Sequence, residues 1–210
     1  MTQEKLVAQA SLVMQLIKSD TQLQRQLDNF GYDVRRIKEG EKFCEDARNI
    51  TEQYEEAQRQ SKGAMLSLRE TRAHIQERYM KQLEIARVAL REVPQVGDIL
   101  VLKANQPRRL DLWLKQTDSF YHNALQHVDV LQSYGIRLHE MEEIKTLVGQ
   151  MIELSGLQKL AESRLQLLAV KKQETLFLLE DWYQNLTELA RTALKDTPEQ
   201  LEAFGITVKA

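Results

Sequence analysis

Apolar residues recur along this chain with a period between three and four. From Leu6 they continue through Ala10, Val13, Leu16/Ile17, Leu23 and Leu27, the spacing that lines one side of an α-helix. A second stripe of the same kind runs Leu110, Trp113/Leu114, Phe120/Tyr121, Leu125, Val128 and Leu131. Each predicts an amphipathic helix, the second started by Pro107, a residue favoured in a first helical turn. Each is followed by a stretch of about 60 residues, 33–92 and 137–196, with helical periodicity throughout and no proline. Asp33 is placed to cap the first, which carries Val34, Ile37, Cys44 and Ile50; the second carries Leu138, Met141, Leu147/Val148 and Met151/Ile152. A continuous helix of that length would reach ~90 Å at about 1.5 Å per residue, which calls for a coiled-coil-like rod or a hidden turn. Two turn sites are open. "NITE" (Asn49 to Glu52) has capping-box spacing and nearly coincides with "SGLQ" (Ser155 to Gln158) in the second stretch; "SKGA" (Ser61 to Ala64) has no counterpart.

Three phrases punctuate this pattern: "LDNFGY" (Leu27 to Tyr32), "LQSYGI" (Leu131 to Ile136) and "LEAFGI" (Leu201 to Ile206). Glycine enters the left-handed conformation that ends a helix because it has no Cβ to clash. In the Schellman arrangement it is followed by an apolar residue that closes back onto the residue five positions earlier. The pairs are Tyr32 with Leu27, Ile136 with Leu131, and Ile206 with Leu201. Three helix C-termini are predicted.

Gly31 and Gly135 are 104 residues apart, and the same shift maps "YMKQLEIARVALREVP" onto "YQNLTELARTALKDTP" without a gap. Tyr79 meets Tyr183, Ala86 meets Ala190, Arg87 meets Arg191, Leu90 meets Leu194 and Pro94 meets Pro198; Glu39/Glu143, Ala57/Ala161 and Glu70-Thr71/Glu174-Thr175 also match. One ungapped offset makes the chain two diverged copies of a helical unit, 1–104 and 105–210. The expected fold is all-α, with two tandem pseudo-symmetric repeats packed as one elongated up-and-down bundle with long, coiled-coil-like helices. Arg87, Arg91, Arg191 and Lys195 fall at the ends of the long stretches, where cations complement the helix dipole. Thr197-Pro198-Glu199-Gln200 spells a capping box with Pro at the first helical position, opening a short helix that Gly205 closes. In copy one "VPQVGDILVLKANQP" takes its place, an apolar linker with Ile99 to Leu102 laid against the bundle.

Composition narrows the function. Of 210 residues, 42% are hydrophobic and 29% charged, with net charge -2, the profile of a folded globular chain. Acids and bases alternate even in "DVRRIKEGEKFCEDAR", so no one-sign stripe marks a nucleic-acid binder. The one cysteine, Cys44, excludes an intrachain disulfide and suits a buried, inert thiol. No apolar run approaches the ~20 residues of a membrane span, and "MTQEKLVAQASLVMQLIKSD" lacks the order of a signal peptide. The cytoplasm is the expected location, with no membrane association.

Catalytic signatures are missing. None of His74, His122, His127 and His139 has Glu three residues before it, as a di-metal carboxylate bundle requires. His139 and Glu143 stand at i, i+4 and could share one metal, but a solvated pair is the simpler account. No phosphate loop, nucleophile elbow or HExxH helix occurs. Neither an enzyme nor a cofactor is expected.

The phrases "LDNFGYD", "LQSYGIRL" and "ARTALKDTPEQLEAFGI" resemble those of a widespread group of uncharacterised bacterial helical proteins. The resemblance covers most of the chain, "VPQVGDIL" being the main departure. It implies an all-helical tandem repeat and transfers no active site. The function expected is a non-enzymatic interaction or scaffold protein, self-associating or bound to a protein partner. Its expected contacts are Tyr79, Arg87, Arg91, Tyr183, Arg191 and Lys195. One alternative is a membrane-acting protein resembling the pore-forming helical toxins, supported by the long helices and "DILVL". Another is a small-molecule or metal carrier with Trp113, Trp182 and His139 inside.

Overall fold

A computed structural model of the chain describes residues 2–91, 94–100, 105–195 and 197–206. Among them all regular structure is helical and no strand forms. The first apolar stripe folds as two helices, α1 (Gln3–Ser19) and α2 (Thr21–Asp28). The break is made by Asp20, whose carboxylate accepts from the backbone N–H of Gln22 at 2.9 Å and of Leu23 at 3.0 Å. Those two donors begin α2 and would otherwise lack partners.

The long stretches are unbroken. Helix α3 (Val34–Ala89) and, later in the chain, α7 (Leu138–Ala193) have 56 residues each. None of "NITE", "SGLQ" and "SKGA" turns. A capping box needs its first residue in an extended backbone, but Asn49 and Ser155 lie inside α3 and α7, and Thr51 folds its hydroxyl onto Ala47 O at 2.7 Å, within the helix. Gly63 and Gly156 are carried inside helices, each costing about 1 kcal/mol relative to Ala. Asp33 does cap α3, accepting from Arg36 N–H at 2.8 Å.

The segment after α3 departs from the expected linker: Pro94–Ile99 forms a short helix, α4. Proline at its start has the helical φ already set and loses no hydrogen bond there. Leu100 behind it is buried; the rest of the expected Ile99 to Leu102 contact, the Ile99 side chain with Val101 and Leu102, lies outside what is described.

The second stripe starts later than Pro107 suggests. Helix α5 (Leu110–Ala124) is preceded by Arg109 in an extended backbone, so Pro107 lies ahead of the helix. Residue 124, which is 20 plus 104, is Ala rather than Asp and offers no side-chain acceptor. The chain there tightens through a 3-10 turn, Leu125–His127, into α6 (Val128–Ser133), a connection that satisfies the backbone without a capping residue.

All three glycine phrases close as predicted. Gly31, Gly135 and Gly205 have φ of 84°, 90° and 70°. Tyr32, Ile136 and Ile206 N–H reach Leu27, Leu131 and Leu201 O at 3.1, 3.1 and 3.2 Å, and the glycine N–H groups bond Asp28, Gln132 and Glu202 O. Each pair's side chains are buried. The last phrase ends α8 (Pro198–Ala203). At its start the reciprocal capping box does not form: Thr197 Oγ1 makes no cap bond and lies 3.3 Å from Gln200 Oε1.

The shift of 104 relates the bounds of α3 to those of α7 and of α4 to those of α8. The chain divides into two compact units, Met1–Gln58 with Ser163–Ala210 (unit 1) and Arg59–Glu162 (unit 2). Each draws on both halves of the sequence, 1–104 and 105–210. In unit 1, Leu6, Ala10, Val13 and Ile17 of α1 pack with Leu23 and Leu27 of α2, Ile37, Cys44 and Ala47 of α3, and Leu179, Trp182 and Leu186 of α7. In unit 2 the core is Ile75, Tyr79 and Leu83 of α3, Trp113, Phe120 and Tyr121 of α5, and Met141, Ile144, Val148 and Met151 of α7. The buried positions 37, 40, 44 and 47 of α3 recur at 141, 144, 148 and 151 of α7, the alternating three- and four-residue steps of a helix–helix seam. Of the remaining predicted stripe, Val34, Leu138 and Ile152 stay exposed.

One seam position differs sharply in size. Gly40 lies against the Trp182 ring so closely that a Cβ there would overlap its carbons. Trp182 Nε1 donates to Arg36 O at 3.1 Å, and the ring meets Tyr32 edge-on at 6.0 Å. In unit 2 the equivalent residues are Ile144, buried, and Arg78, which reaches Glu143 at 3.1 Å. A large side chain on one helix is thus matched by a small one on its neighbour.

Gly40→Ala should therefore cost about 1–3 kcal/mol by overpacking, read as a lowered midpoint in urea. Gly63→Ala, at a helical glycine with open space around it, should raise stability by roughly 0.5–1 kcal/mol.

Burial also pushes the phenols of Tyr32, Tyr79, Tyr121 and Tyr183 above their ordinary value of 10.0. The folded chain then keeps protons that the unfolded chain releases above pH 10, so this stability is complete below that value and lost as pH rises through the raised folded values. With Tyr54 and Tyr134 replaced by Phe, so that only these four phenols remain, an alkaline titration should show tyrosinate absorbance appearing together with loss of helix, not before it.

Candidate functional site

The expected contact residues divide between the two units and between surface and core. Tyr79 is 1% exposed and Tyr183 7% exposed. Tyr79 meets Phe120 edge-on at 5.2 Å in unit 2, and Gln116 donates to its hydroxyl at 3.5 Å. Tyr183 donates to Phe204 O at 2.7 Å in unit 1. Both are buried in the cores of their units, where an aromatic ring buries a large apolar surface while its hydroxyl finds a partner. Arg87 and Arg91 are exposed at the end of α3, Arg191 and Lys195 at the end of α7. Arg87 and Arg191 lie in the last helical turn, where the macrodipole accounts for a cation.

The candidate chemistry is equally dispersed. Among the described residues no group of three or more His, Cys, Asp and Glu could hold a metal ion. Glu143, the proposed partner of His139, instead accepts from Arg78 Nη1 at 3.1 Å. Burial pushes the Cys44 thiol up, away from the reactive thiolate. Trp113 and Trp182 belong to the cores of different units. Arg72 lies 5.0 Å above the Trp113 ring. Trp113 Nε1, Thr117 Oγ1 and the Tyr121 hydroxyl, one face of α5 at intervals of four, are buried without hydrogen-bond partners. Burial holds the Tyr121 phenol far above its ordinary range, leaving it a neutral core group.

The feature that packing leaves unexplained is on α7. In its unit 1 portion Leu167 is 65% and Phe177 66% exposed, with Val170 and Leu178 about half exposed. Leu167 and Leu178 are eleven residues apart, close to three full turns, and Val170 and Phe177 are seven apart, so the four share one side of the helix. Single exposed leucines are ordinary, but a contiguous apolar face is not. The positions 104 earlier on α3 are Gly63, Leu66, Ala73 and His74, so this face is largely particular to the second half of the chain. In its unit 2 portion α7 also exposes Ile152, Leu157 and Leu160.

Beside the unit 1 face, α1 and α7 leave an open groove of about 810 Å³, lined by Gln3, Leu6, Val170, Leu176, Phe177 and Leu178 with Glu174 and Glu180. A second groove, about 740 Å³, lies on the other side of α1 among Val7, Ala8, Ala47, Thr51 and Leu176, with Glu4, Arg48, Glu52, Glu55 and Lys172 at its edge. Lys172 is held 4.9 Å from the Tyr54 ring and Arg48 donates to Ser11. Neither groove assembles a nucleophile, base and orienting group. What they offer is apolar surface edged by charge.

The signal for this face is present in the run Leu176-Phe177-Leu178-Leu179. Four consecutive apolar residues on a helix cannot all face one core; Leu176 and Leu179 are buried and Phe177 and Leu178 are not.

The chain matches no protein-family model, and no curated protein and no solved structure matches it. Among the described residues no helix is long and apolar enough to cross a membrane.

Because the face lies outside the core, Phe177→Ser should change unfolding stability by no more than about 0.5 kcal/mol. Leu179→Ala, two residues along but fully buried, should cost about 2–5 kcal/mol. Urea denaturation of the two variants makes the comparison.

Proposed function

We propose that this is a non-enzymatic interaction protein that binds a protein partner through the apolar face of α7 in unit 1. The observation that carries this reading is the exposure of Leu167, Val170, Phe177 and Leu178 on one side of a single helix. A patch of that kind on a folded chain is usual where another protein covers it. The rigid backing of a long helix favours it further, because little conformational freedom is lost on docking. The contact is therefore moved from the cationic helix ends around Arg87 and Arg191 to the middle of α7.

The chain is read as a tandem duplication of a helical unit, pseudo-symmetric in origin, as in the helical bacterial group that its phrases resemble. The matched bounds of α3 and α7 support this. After duplication the outer sides of the two long helices came to differ, Leu167, Phe177 and Leu178 standing where α3 has Gly63, Ala73 and His74. A reducing compartment such as the cytoplasm suits the free, buried Cys44.

The test is purification of the tagged chain from its own cell, alongside Leu167→Glu with Phe177→Glu. The wild type should emerge with a near-equimolar protein partner or as a defined oligomer, and the variant without it at unchanged melting temperature. Wild type recovered alone at monomer mass, or a variant that keeps the same company, sinks the proposal.

A further inference from the structure

We infer that the partner of this face is a second copy of the chain, docking through the outer side of α3 in unit 2; the inference rests on the interaction reading above. The α7 face carries an acid–apolar–apolar–acid pattern: Glu174, then Phe177 and Leu178, then Asp181. On α3 in unit 2 the same spacing carries the opposite charges: Lys62, then Met65 and Leu66, then Arg69. All eight side chains are exposed, and among the described residues none of the four charged ones makes an ion pair within the chain. Asp181 accepts only a hydrogen bond from Asn185, at 3.2 Å.

Positions n, n+3, n+4 and n+7 fall on one side of a helix. Each face therefore presents an apolar pair with a charge one turn before it and another one turn after. The spacing reads the same in both directions, so each cation meets an acid whether the helices approach parallel or antiparallel. Laid together, Met65 and Leu66 cover Phe177 and Leu178, and Lys62 and Arg69 close on Glu174 and Asp181. The apolar pair supplies the attraction by leaving water, and the charges select the partner by penalising like-signed alternatives.

The match is not a by-product of the repeat. The faces are 112 residues apart, not 104, and the repeat equivalents of Lys62 and Arg69 are Gln166 and Gln173. Every copy carries one face of each sign. The contact pairs unlike faces, so it either occurs twice in an isologous two-fold dimer or is heterologous, closing into a ring or extending from copy to copy.

Charge exchange in the full-length chain tests it. Sedimentation velocity over a concentration series would compare wild type, Lys62→Glu with Arg69→Glu, Glu174→Lys with Asp181→Lys, and an equal mixture of the two variants. Wild type should associate as concentration rises. Each variant alone should associate at least about tenfold more weakly, because its faces now have one sign. The mixture should recover association, since every acidic face again finds a basic one. Met65→Ser, which leaves the charges in place, should weaken association too and stands in for any charge variant that fails to fold. Wild type that stays monomeric throughout, variants that associate undiminished, or a mixture that stays monomeric would overturn the inference. A monomeric wild type that still loses a different protein on Leu167→Glu with Phe177→Glu would leave the interaction reading intact and remove only self-pairing.

Discussion

A long helix can bury only one side of itself in a small core, and the organisation of this chain depends on that limit. The inward seams of α3 and α7 are covered in each unit by shorter helices and by one another, through positions that repeat as 37, 40, 44, 47 and 141, 144, 148, 151. Fully burying a leucine-sized side chain is worth about 1.5–3 kcal/mol, whereas propensity adds only tenths per residue. Packing along the seam therefore outweighs the cost of about 1 kcal/mol for a helical glycine such as Gly63 or Gly156. Whatever lies outside the seam must be polar or be covered from outside the unit.

Positions 104 residues apart share one frame and differ in local chemistry. Asp20 ends one helix and caps the next, while Ala124 can do neither and the chain passes through a 3-10 turn. Asp33 caps α3; its equivalent is Arg137, which supplies no acceptor. Gly40 admits Trp182, and the equivalent pair is Ile144 with Arg78. The clasps at Gly31 and Gly135 agree, because a left-handed residue with an apolar neighbour stops a helix in one well-defined way, whereas Val101 stands at the position equivalent to Gly205.

The outward sides of the two long helices differ as well. There the equivalents of Leu167, Phe177 and Leu178 are Gly63, Ala73 and His74, and no core depends on the change. An apolar side chain held in water on a rigid helix gains nothing for folding, and it gains substantially when another surface covers it. Among the described residues no cluster of His, Cys, Asp and Glu could hold a metal ion, and burial raises the Cys44 thiol and the Tyr121 phenol above their ordinary values.

The sequence alone determined the all-helical class, the 104-residue shift, the three glycine stops and most of the seam, because each is a local or periodic property of the chain. Glycine's left-handed freedom and the period of the apolar residues act within a few turns and need no partner to be read. Only the tertiary structure decided that the 56-residue helices run unbroken, since a tolerated helical glycine and a turn glycine look alike until packing is known. It also decided that each compact unit combines segments from both halves of the chain, which no periodicity encodes. Tyr79 and Tyr183 looked like surface because their repetition was visible and their burial was not. The α7 face was written in the sequence as too many apolar residues, but which of them the core would take depended on where α1 and α3 came to lie.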